Sequence, residues 1–288
     1  MPKFFVSQSI TNEDSFINIT GEDFHHISDV LRMQVKEKVN VSDLTGNDYL
    51  CEIDIFEKSS AKLRILDRRI SNNEPGYMVT LYQGVPKFEK MELIIQKGVE
   101  LGIGKIIPVM CIRSVSKFHD KKDIEKKLAR WNKIAYEAAK QSGRSLVPEV
   151  MEPISYKAAV GEMQKSNLAF IPYECERDNS LKEFLKERVN TILKSNTDAN
   201  TNTNTNTNTN TNTNTNTNTN TNTNTNTNAN TNTNTISFMV GPEGGFASEE
   251  IELAKSSGIE LVTLGKRIMR TETVAIAVLS MLLYEFEL

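Results

Sequence analysis

Residues 1–70 alternate apolar and polar positions in short runs, and this period of two predicts half-buried β-strands. The runs are "KFFV", "FINI", "KVNVSDLTGNDYLCEIDIFE" and "AKLRILDRRI". A Gly-Asn-Asp turn inside the third run predicts a β-hairpin, and "GEDFHHISDVLRM" predicts one helix between the strands. The pattern therefore favours a small β-barrel with an inserted helix, which ends at the polar linker "SNNEPG".

From Tyr77 onward, short apolar runs alternate with longer amphipathic segments. The predicted strands are "YMVTLYQGV", "KIIPVMC", "NLAFIPY", "ISFMVG" and "ELVTLG". The predicted helices are "FEKMELIIQKGVELG", "IEKKLARWNKIAYEAAKQSG", "LKEFLKERVNTIL", "ASEEIELAKSSG" and "TETVAIAVLSMLLYEF". This alternation predicts a parallel sheet with helices on both faces. The last helix is apolar nearly all round, so we expect it to be buried within this chain or against a second copy.

The segment from Asn200 to Thr235 is an almost pure alternation of Thr and Asn without an apolar face. Such a segment cannot offset its own ordering entropy, so we predict a disordered insertion at about residues 196–235. Lengthening a loop to this extent adds only about 2 kcal/mol of closure entropy, although an Asn-rich tract could instead promote association. We therefore expect two domains, at residues 1–72 and 73–288, with the insertion inside the second.

Composition adds little, because a net charge of -3 with 25% charged residues is ordinary for a globular protein. The distribution of charge is more informative. The segment from Gly84 to Arg144 carries 14 Lys and Arg against 7 Asp and Glu. A basic segment in a mildly acidic protein could face a polyanion, or it could form solvated helix faces.

The three cysteines, Cys51, Cys111 and Cys175, are far apart and form no Cys-x-x-Cys pair. They predict neither a disulfide framework nor a metal site. The N-terminus lacks the long apolar stretch of a signal peptide, and the apolar run Val274–Leu283 is too short to span a bilayer. We therefore expect a reduced, cytoplasmic protein without a membrane segment.

The stretch "MVGPEGGFASEEIELAKSSG" places a glycine-rich loop between a strand and a helix, where α/β proteins bind ligands. A phosphate site is disfavoured, because no Gly-Lys-Ser/Thr follows and Glu243 would bring a carboxylate to an anion. The loop suits a neutral or cationic ligand with an amine, a sulfonium or ribose hydroxyls. The alternative is an acidic turn that caps the next helix through Ser248.

A second loop of this kind, "LGKRIMRTET", carries Arg267 and Arg270 beside the apolar Ile268 and Met269, which could flank an aromatic ring. Thr271 could cap the helix that follows. Upstream, the segment "RWNKIAYEAAKQSGR" predicts a helix, and Arg144 stands at its C-terminal end. That cation could contact phosphate or simply suit the helix dipole.

Three further residues are candidates with simpler explanations. His25 and His26 lack a carboxylate at a recognisable spacing, so we interpret them as helix residues of the barrel domain. Trp131 is interpreted as a core residue.

With these segments in view, the sequence resembles the RsmE family of bacterial 16S ribosomal RNA uridine-N3 methyltransferases, within the SPOUT superfamily. The resemblance rests, in order, on "MPKFFV", "HHISDVLRM", "YQGVPKFEKMELIIQKGVELGI", "RWNKIAYEAAKQSGR", "GPEGGF" and "LGKRIMRTET". It covers the chain except the Thr-Asn tract. Each motif alone is weak, but the set in this order is specific.

The resemblance implies an α/β protein with an N-terminal PUA-like β-barrel domain and a C-terminal SPOUT α/β domain tied into a trefoil knot. Reasoning from βα units alone does not produce a knot, because threaded chains are normally excluded. The resemblance also implies a homodimer that binds S-adenosylmethionine in a bent shape, held by three loops within the knot.

Those loops map to Ile171–Glu174, Gly241–Gly245 and Leu264–Thr273. The implied cofactor contacts are Ile171, Pro172, Tyr173, Glu174, Gly241, Pro242, Glu243, Gly244, Gly245, Leu264, Gly265, Ile268, Met269, Arg270 and Thr273. The predicted RNA contacts are Arg32, Lys87, Arg113 and Arg144. Met269 and Val274 stand where Leu and Ala are expected, which conserves volume. "IPYE" is a looser match, and the Thr-Asn tract lies just before the second loop.

The implied activity is methyl transfer from S-adenosylmethionine to N3 of a uridine in 16S rRNA of the small ribosomal subunit. The imide edge is paired in a duplex, so the target is expected to be unpaired or flipped out. Arg270 is the predicted cation near the transferring methyl, and Glu272 would orient that arginine or accept the proton, unless it only caps its helix. The alternatives are another SPOUT methylation, of ribose 2'-O or another base, and a non-catalytic RNA-binding assembly factor.

Overall fold

A computed structural model describes residues 1–8, 10–188 and 234–287 of the chain. The predicted disorder of the Thr-Asn tract falls on residues outside this description, with one exception at its end. Asn234 and Thr235 belong to a strand, where they pair with Tyr77 and Met78 of a parallel neighbour. The strand therefore begins two residues before the predicted Ile236, because the β-branched Thr235 fits the sheet and its N–H donates to Asn167 Oδ1 at 2.8 Å.

The N-terminal part of the chain, residues 3–70, forms a five-stranded sheet in the order β1-β3-β4-β5-β2. Its strands are β1 (Lys3–Phe5), β2 (Phe16–Thr20), β3 (Lys38–Ser42), β4 (Asn47–Phe56) and β5 (Ser60–Ile70). Strands β1 and β3 pair in parallel and the other neighbours are antiparallel. The predicted hairpin is confirmed, since β3 and β4 are adjacent antiparallel strands, but the turn lies at residues 43–46, so Asn47 and Asp48 of the predicted Gly-Asn-Asp turn belong to β4.

A short helix packs on this sheet and closes its core. Helix α1 (Gly21–His25) continues as a π-helical turn (His26–Val30), so the helical segment ends before the predicted Met33. The chain leaves it through Arg32, whose φ of 50° is left-handed and cannot continue a right-handed helix. Ile27 of the turn is fully buried beside Phe4 of β1. Burying each such side chain stabilises the fold by roughly 1.5–3 kcal/mol.

The rest of the described chain, from Tyr77 onward, is built on a parallel sheet in the order β12-β10-β11-β6-β7-β8, with β9 also paired to β7. The strands are β6 (Tyr77–Gly84), β7 (Lys105–Met110), β8 (Glu149–Val150), β9 (Ile154–Ser155), β10 (Leu168–Pro172), β11 (Asn234–Val240) and β12 (Glu260–Val262). The helices are α2 (Phe88–Glu100), α3 (Lys121–Ser142), α4 (Tyr156–Met163), α5 (residues 181–188), α6 (Ser248–Ser256) and α7 (Thr271–Glu287). The predicted parallel sheet is confirmed, whereas β8, β9 and α4 were not predicted.

Helices cover both faces of this sheet, as predicted. Consecutive residues of a strand point to opposite faces, so Leu81 joins the core under α2, α3 and α7, and Tyr82 joins the core under α4 and α6. Trp131 of α3 is 1% exposed, which confirms its prediction as a core residue. The trefoil knot stays a prediction, because strand pairing alone does not test it.

Helix α7 buries one face within the chain and exposes the other. Ala275, Leu279 and Leu282 are buried against the rest of the protein, whereas Met281 is 41% and Tyr284 70% exposed. The helix is therefore only partly covered by its own chain. Among the residues that the structure describes, no helix is long and apolar enough to cross a membrane.

The segment between the two sheets is anchored by a buried ion pair. Arg144 is 5% exposed, and its Nη2 lies 2.6 Å from Glu74 Oε2. Its Nη1 donates to the carbonyl of Ile103 at 2.6 Å. The other oxygen of Glu74 accepts the backbone N–H of Ser145 at 2.7 Å. The predicted linker "SNNEPG" thus supplies the acid that fixes the end of α3.

Candidate cofactor and RNA site

Three loops lie together because of the strand order. Strands β12, β10 and β11 are neighbours and run in parallel, so their carboxyl ends reach the same edge of the sheet. Each of the three predicted cofactor loops follows one of these strands. Such an edge is where open α/β sheets bind ligands.

The loops enclose a cavity of about 430 Å³, within the range of small-molecule sites. The predicted cofactor contacts that line it are Pro172, Tyr173, Glu174, Gly241, Pro242, Glu243, Gly245, Leu264, Gly265, Ile268, Met269 and Arg270. The fold therefore brings most of the predicted contacts together at one cavity, from three segments that are far apart in the chain.

Three of the predicted contacts do not line this cavity. Ile171 is fully buried in the core between the sheet and α4 and α6. Gly244 lies against Arg113, since a Cβ on this glycine would sit 3.0 Å from the arginine's carbonyl oxygen. Thr273 is exposed on α7. Each of the three is next in the chain to a residue that lines the cavity, but does not line the cavity itself.

Several lining residues were missed. They are Lys90, Val240, Phe246, Thr263, Arg267, Thr271 and Val274. All except Lys90 lie within or beside the predicted loops, so a wider reading of the same motifs could have found them. Lys90 comes from the first turn of α2, and no local signal in the sequence connects it to the loops.

Thr271 joins two of the loops to the sheet. It is the first residue of α7 rather than its cap, and its hydroxyl donates to the carbonyl of Gly241 at 2.7 Å. The same oxygen accepts a hydrogen bond of 2.9 Å from Nε2 of the fully buried Gln83, at the end of β6. The second and third loops are thus held in register by a side-chain network that starts in the strand beneath them.

Glu243, whose carboxylate disfavours a phosphate ligand at this loop, contacts α2. Its Oε1 accepts the backbone N–H of Lys87, the N-cap residue of α2, at 3.1 Å and lies 3.3 Å from Lys90 Nζ. Burial by itself would raise the pKa of Glu243, but the backbone N–H groups of Lys87 and Glu243 and the ammonium of Lys90 lower it overall. This carboxyl group is therefore ionised at neutral pH and caps a helix from outside.

The predicted cap by Ser248 is wrong. Helix α6 begins at Ser248 with Ala247 as its N-cap residue. Glu250 of the first turn accepts the N–H of Ala247 at 2.8 Å and that of Ile112 at 2.9 Å. The carboxylate satisfies both donors, so no serine hydroxyl is needed.

Glu272 contacts a different cation from the one predicted. Its Oε2 lies 3.2 Å from Lys90 Nζ, and this carboxylate makes no ion pair with Arg270 in the described part of the chain. Arg270 is instead exposed at the cavity, on the same loop as the exposed Arg267. The prediction that Glu272 orients Arg270 is corrected, because Lys90 of α2 occupies the position of its counter-ion.

The four predicted RNA contacts fall in different environments. Arg32, Lys87 and Arg113 are exposed, and the last two flank the glycine loop through Glu243 and Gly244. Arg144 is withdrawn as an RNA contact, since its guanidinium is buried against Glu74 and two backbone carbonyls. Arg144 therefore binds groups inside the protein, at the end of α3.

The cavity fits a ligand with a flat apolar part and a cationic part. Leu264 and Ile268 offer apolar surface, whereas Glu174 and Glu243 offer carboxylates. Gly245 has a φ of 65°, a backbone conformation that glycine adopts without strain. An adenosyl group attached to a sulfonium and an amine meets these requirements. Within residues 1–8, 10–188 and 234–287, no group of three or more His, Cys, Asp or Glu side chains could hold a metal ion.

Comparison with known families agrees with this fold. A family model described as an RNA methyltransferase domain matches residues 72–197 and 187–283, and one described as an RNA methyltransferase PUA domain matches residues 19–66. The chain therefore belongs to the RNA methyltransferases that carry a PUA domain. The predicted PUA-like domain and the α/β class of the methyltransferase domain are confirmed.

Individual relatives narrow the class further. The chain is 32% identical over 292 residues to ribosomal RNA small subunit methyltransferase E of Bacillus subtilis (strain 168), covering 100% of this chain and 98% of that protein. It is 28% identical to the protein of this name from Mesomycoplasma hyopneumoniae (strain 232), covering 97% and 98%. The chain is thus a member of the ribosomal RNA small subunit methyltransferase E family.

A solved structure extends the comparison to the cofactor. Ribosomal RNA small subunit methyltransferase E from Neisseria gonorrhoeae, crystallised bound to S-adenosyl methionine, has a TM-score of 0.74 and 27% identity to this chain. The match covers 99% of this chain and 97% of that one. The same architecture therefore holds this cofactor in a relative.

Proposed function

We propose that the protein transfers a methyl group from S-adenosylmethionine to N3 of a uridine in 16S rRNA of the small ribosomal subunit. The observation that carries the proposal is the cavity formed by the three loops after β10, β11 and β12, in a chain of this methyltransferase family. S-adenosylmethionine supplies the chemistry, since its sulfonium already carries an activated methyl group. The protein must then position the uridine and manage one proton.

Two residues are assigned to that proton and its charge. Loss of the proton from N3 leaves negative charge on O2 and O4 of the base, which the exposed guanidinium of Arg270 stabilises from the cavity wall. The carboxylate of Glu272 accepts the proton. The cofactor itself is held by the loop residues that line the cavity, and Arg32, Lys87 and Arg113 contact RNA phosphates.

Glu272→Gln and Arg270→Ala should each lower kcat for methylation of small subunits, measured at saturating S-adenosylmethionine, by about 10²- to 10⁴-fold. Turnover is measured with labelled S-adenosylmethionine, and affinity by calorimetry. Glu249→Gln, at an exposed position of α6, is the matched control and should keep full activity. Normal turnover in both variants would remove these two roles.

The modified nucleoside separates the proposal from its alternatives. Nucleoside mass spectrometry of 16S rRNA from a deletion strain should show loss of 3-methyluridine. Loss of a 2'-O-methylated or another methylated nucleoside would instead indicate a different SPOUT activity. Failure of the wild-type protein to bind S-adenosylmethionine would favour a non-catalytic assembly factor.

We also propose that the protein acts as a homodimer in the cytoplasm, where cell fractionation should recover it. The exposed face of α7, with Met281 and Tyr284, is the surface we assign to the partner copy, because large apolar side chains on a terminal helix favour burial. Tyr284→Glu should convert the dimer to a monomer in size-exclusion chromatography with light scattering. A wild-type protein that elutes as a monomer at micromolar concentration would contradict the assignment.

A further inference from the structure

Lys90 lies between two carboxylates that belong to different cofactor loops. Its Nζ is 3.3 Å from Glu243 Oε1 of the second loop and 3.2 Å from Glu272 Oε2, at the end of the third loop. The three side chains are 27%, 23% and 14% exposed, respectively, so water screens them only in part. One ammonium group from α2 therefore connects both loops at the wall of the cavity.

The two carboxylates depend on this ammonium to different degrees. Glu243 also accepts the backbone N–H of Lys87. Glu272 has no such second donor in the described part of the chain, since its Oε2 is buried and no hydrogen bond is aligned on it. Without Lys90, Glu272 would be a largely buried carboxylate near the carboxylate of Glu243, a combination that is unfavourable in a partly desolvated site.

From this arrangement we propose that Lys90 is a positioning residue that holds the second and third cofactor loops in their binding geometry. Through Glu243 it fixes the Gly241–Gly245 loop against the start of α2. Through Glu272 it fixes the first turn of α7, next to Arg270. The inference rests on the proposed function, since the geometry being held is that of the S-adenosylmethionine site.

The proposal is tested with Lys90→Gln, which removes the charge, and Lys90→Arg, which restores it on a side chain of similar reach. Lys90→Gln should weaken binding of S-adenosylmethionine and lower kcat/KM for small-subunit methylation by roughly 10- to 100-fold, because small displacements in a catalytic site have effects of this size. Lys90→Arg should recover most of both losses. Lys97→Gln, which removes an ion pair to Glu100 within the same helix, is the control and should behave like the wild type.

Calorimetry, single-turnover rates and thermal melting are measured on all three full-length variants. A Lys90→Gln variant that melts early but binds the cofactor and turns over normally would show a purely structural role, and would overturn the proposal. Equal losses in Lys90→Arg and Lys90→Gln would overturn it as well, since charge would then not matter. If the wild type itself binds no S-adenosylmethionine, the proposed function fails. If the wild type binds the cofactor and the Lys90→Gln variant binds it equally well, only the role of Lys90 fails.

Discussion

Gly84→Ala is expected to disable the enzyme, because the added methyl group has no space beside the second cofactor loop. A Cβ on Gly84 would lie 2.6 Å from Cδ and 2.7 Å from the backbone nitrogen of Pro242. It would also lie 3.1 Å from Sγ of Cys111, which directly follows the neighbouring strand β7. The obstacle is backbone and a rigid ring, so the loop must move as a unit.

Such a displacement should reduce kcat/KM by at least about 100-fold and weaken binding of S-adenosylmethionine. It should also lower the free energy of unfolding by about 1–3 kcal/mol, as overpacking does. Calorimetry with the cofactor, a methylation assay and urea denaturation measure the three quantities.

Gly161→Ala is the matched control for this substitution. Gly161 lies in α4, and a Cβ there would meet nothing within 4 Å. Alanine is the better helix former, so the variant should gain roughly 0.5–1 kcal/mol and keep its activity. A Gly84→Ala protein with the cofactor affinity of Gly161→Ala would show that the loop can move aside freely.

Arg144→Ala should lower the free energy of unfolding by about 3–5 kcal/mol, the loss typical when one partner of a buried ion pair is removed. Glu74 would keep its bonds to the backbone N–H groups of Ser145 and Leu146 but lose its counter-ion. The carbonyls of Val99 and Ile103 would lose a donor as well. Urea denaturation followed by circular dichroism measures the change.

Arg130→Ala is the control, from helix α3, which ends just before Arg144. Arg130 pairs with Glu92, but its side chain is 69% exposed, and exposed pairs contribute only about 0–1 kcal/mol. The change should therefore be small. If instead Arg144→Ala folds with wild-type stability and loses RNA affinity, the original prediction of an RNA contact was correct.

The parts of the site that could be predicted are those encoded locally. The loop "GPEGG" and the segment "LGKRIMRTET" each follow an apolar strand. An apolar run followed by glycine can be recognised in the sequence without knowledge of the fold. Their meeting in space also follows from pattern, because parallel strands end at one edge. Strands β8 and β9 escaped prediction because two residues cannot establish a period of two.

The residues that sequence reasoning missed or misplaced are those whose partners are distant in the chain. Lys90 looks like an ordinary solvated cation of an amphipathic helix until α2 is packed beside Glu243 and Glu272. Arg144 looks like a helix-end cation until Glu74, from the segment read as a linker, is placed against it. In both cases the identity of the counter-ion, rather than the charge itself, decides what the residue does.

Strand β11 lies between the Thr-Asn tract and the second predicted cofactor loop. The strand runs from Asn234 to Val240, and the cofactor loop begins at Gly241. Seven residues of strand extend for about 23 Å at 3.3 Å per residue, so Asn234 lies at the edge of the sheet opposite the cavity. The strand is paired on both sides, by β10 and β6, so its position in the sheet is fixed. Gly241, Gly244 and Gly245, which are predicted to contact the cofactor, therefore lie a full strand length away from Asn234.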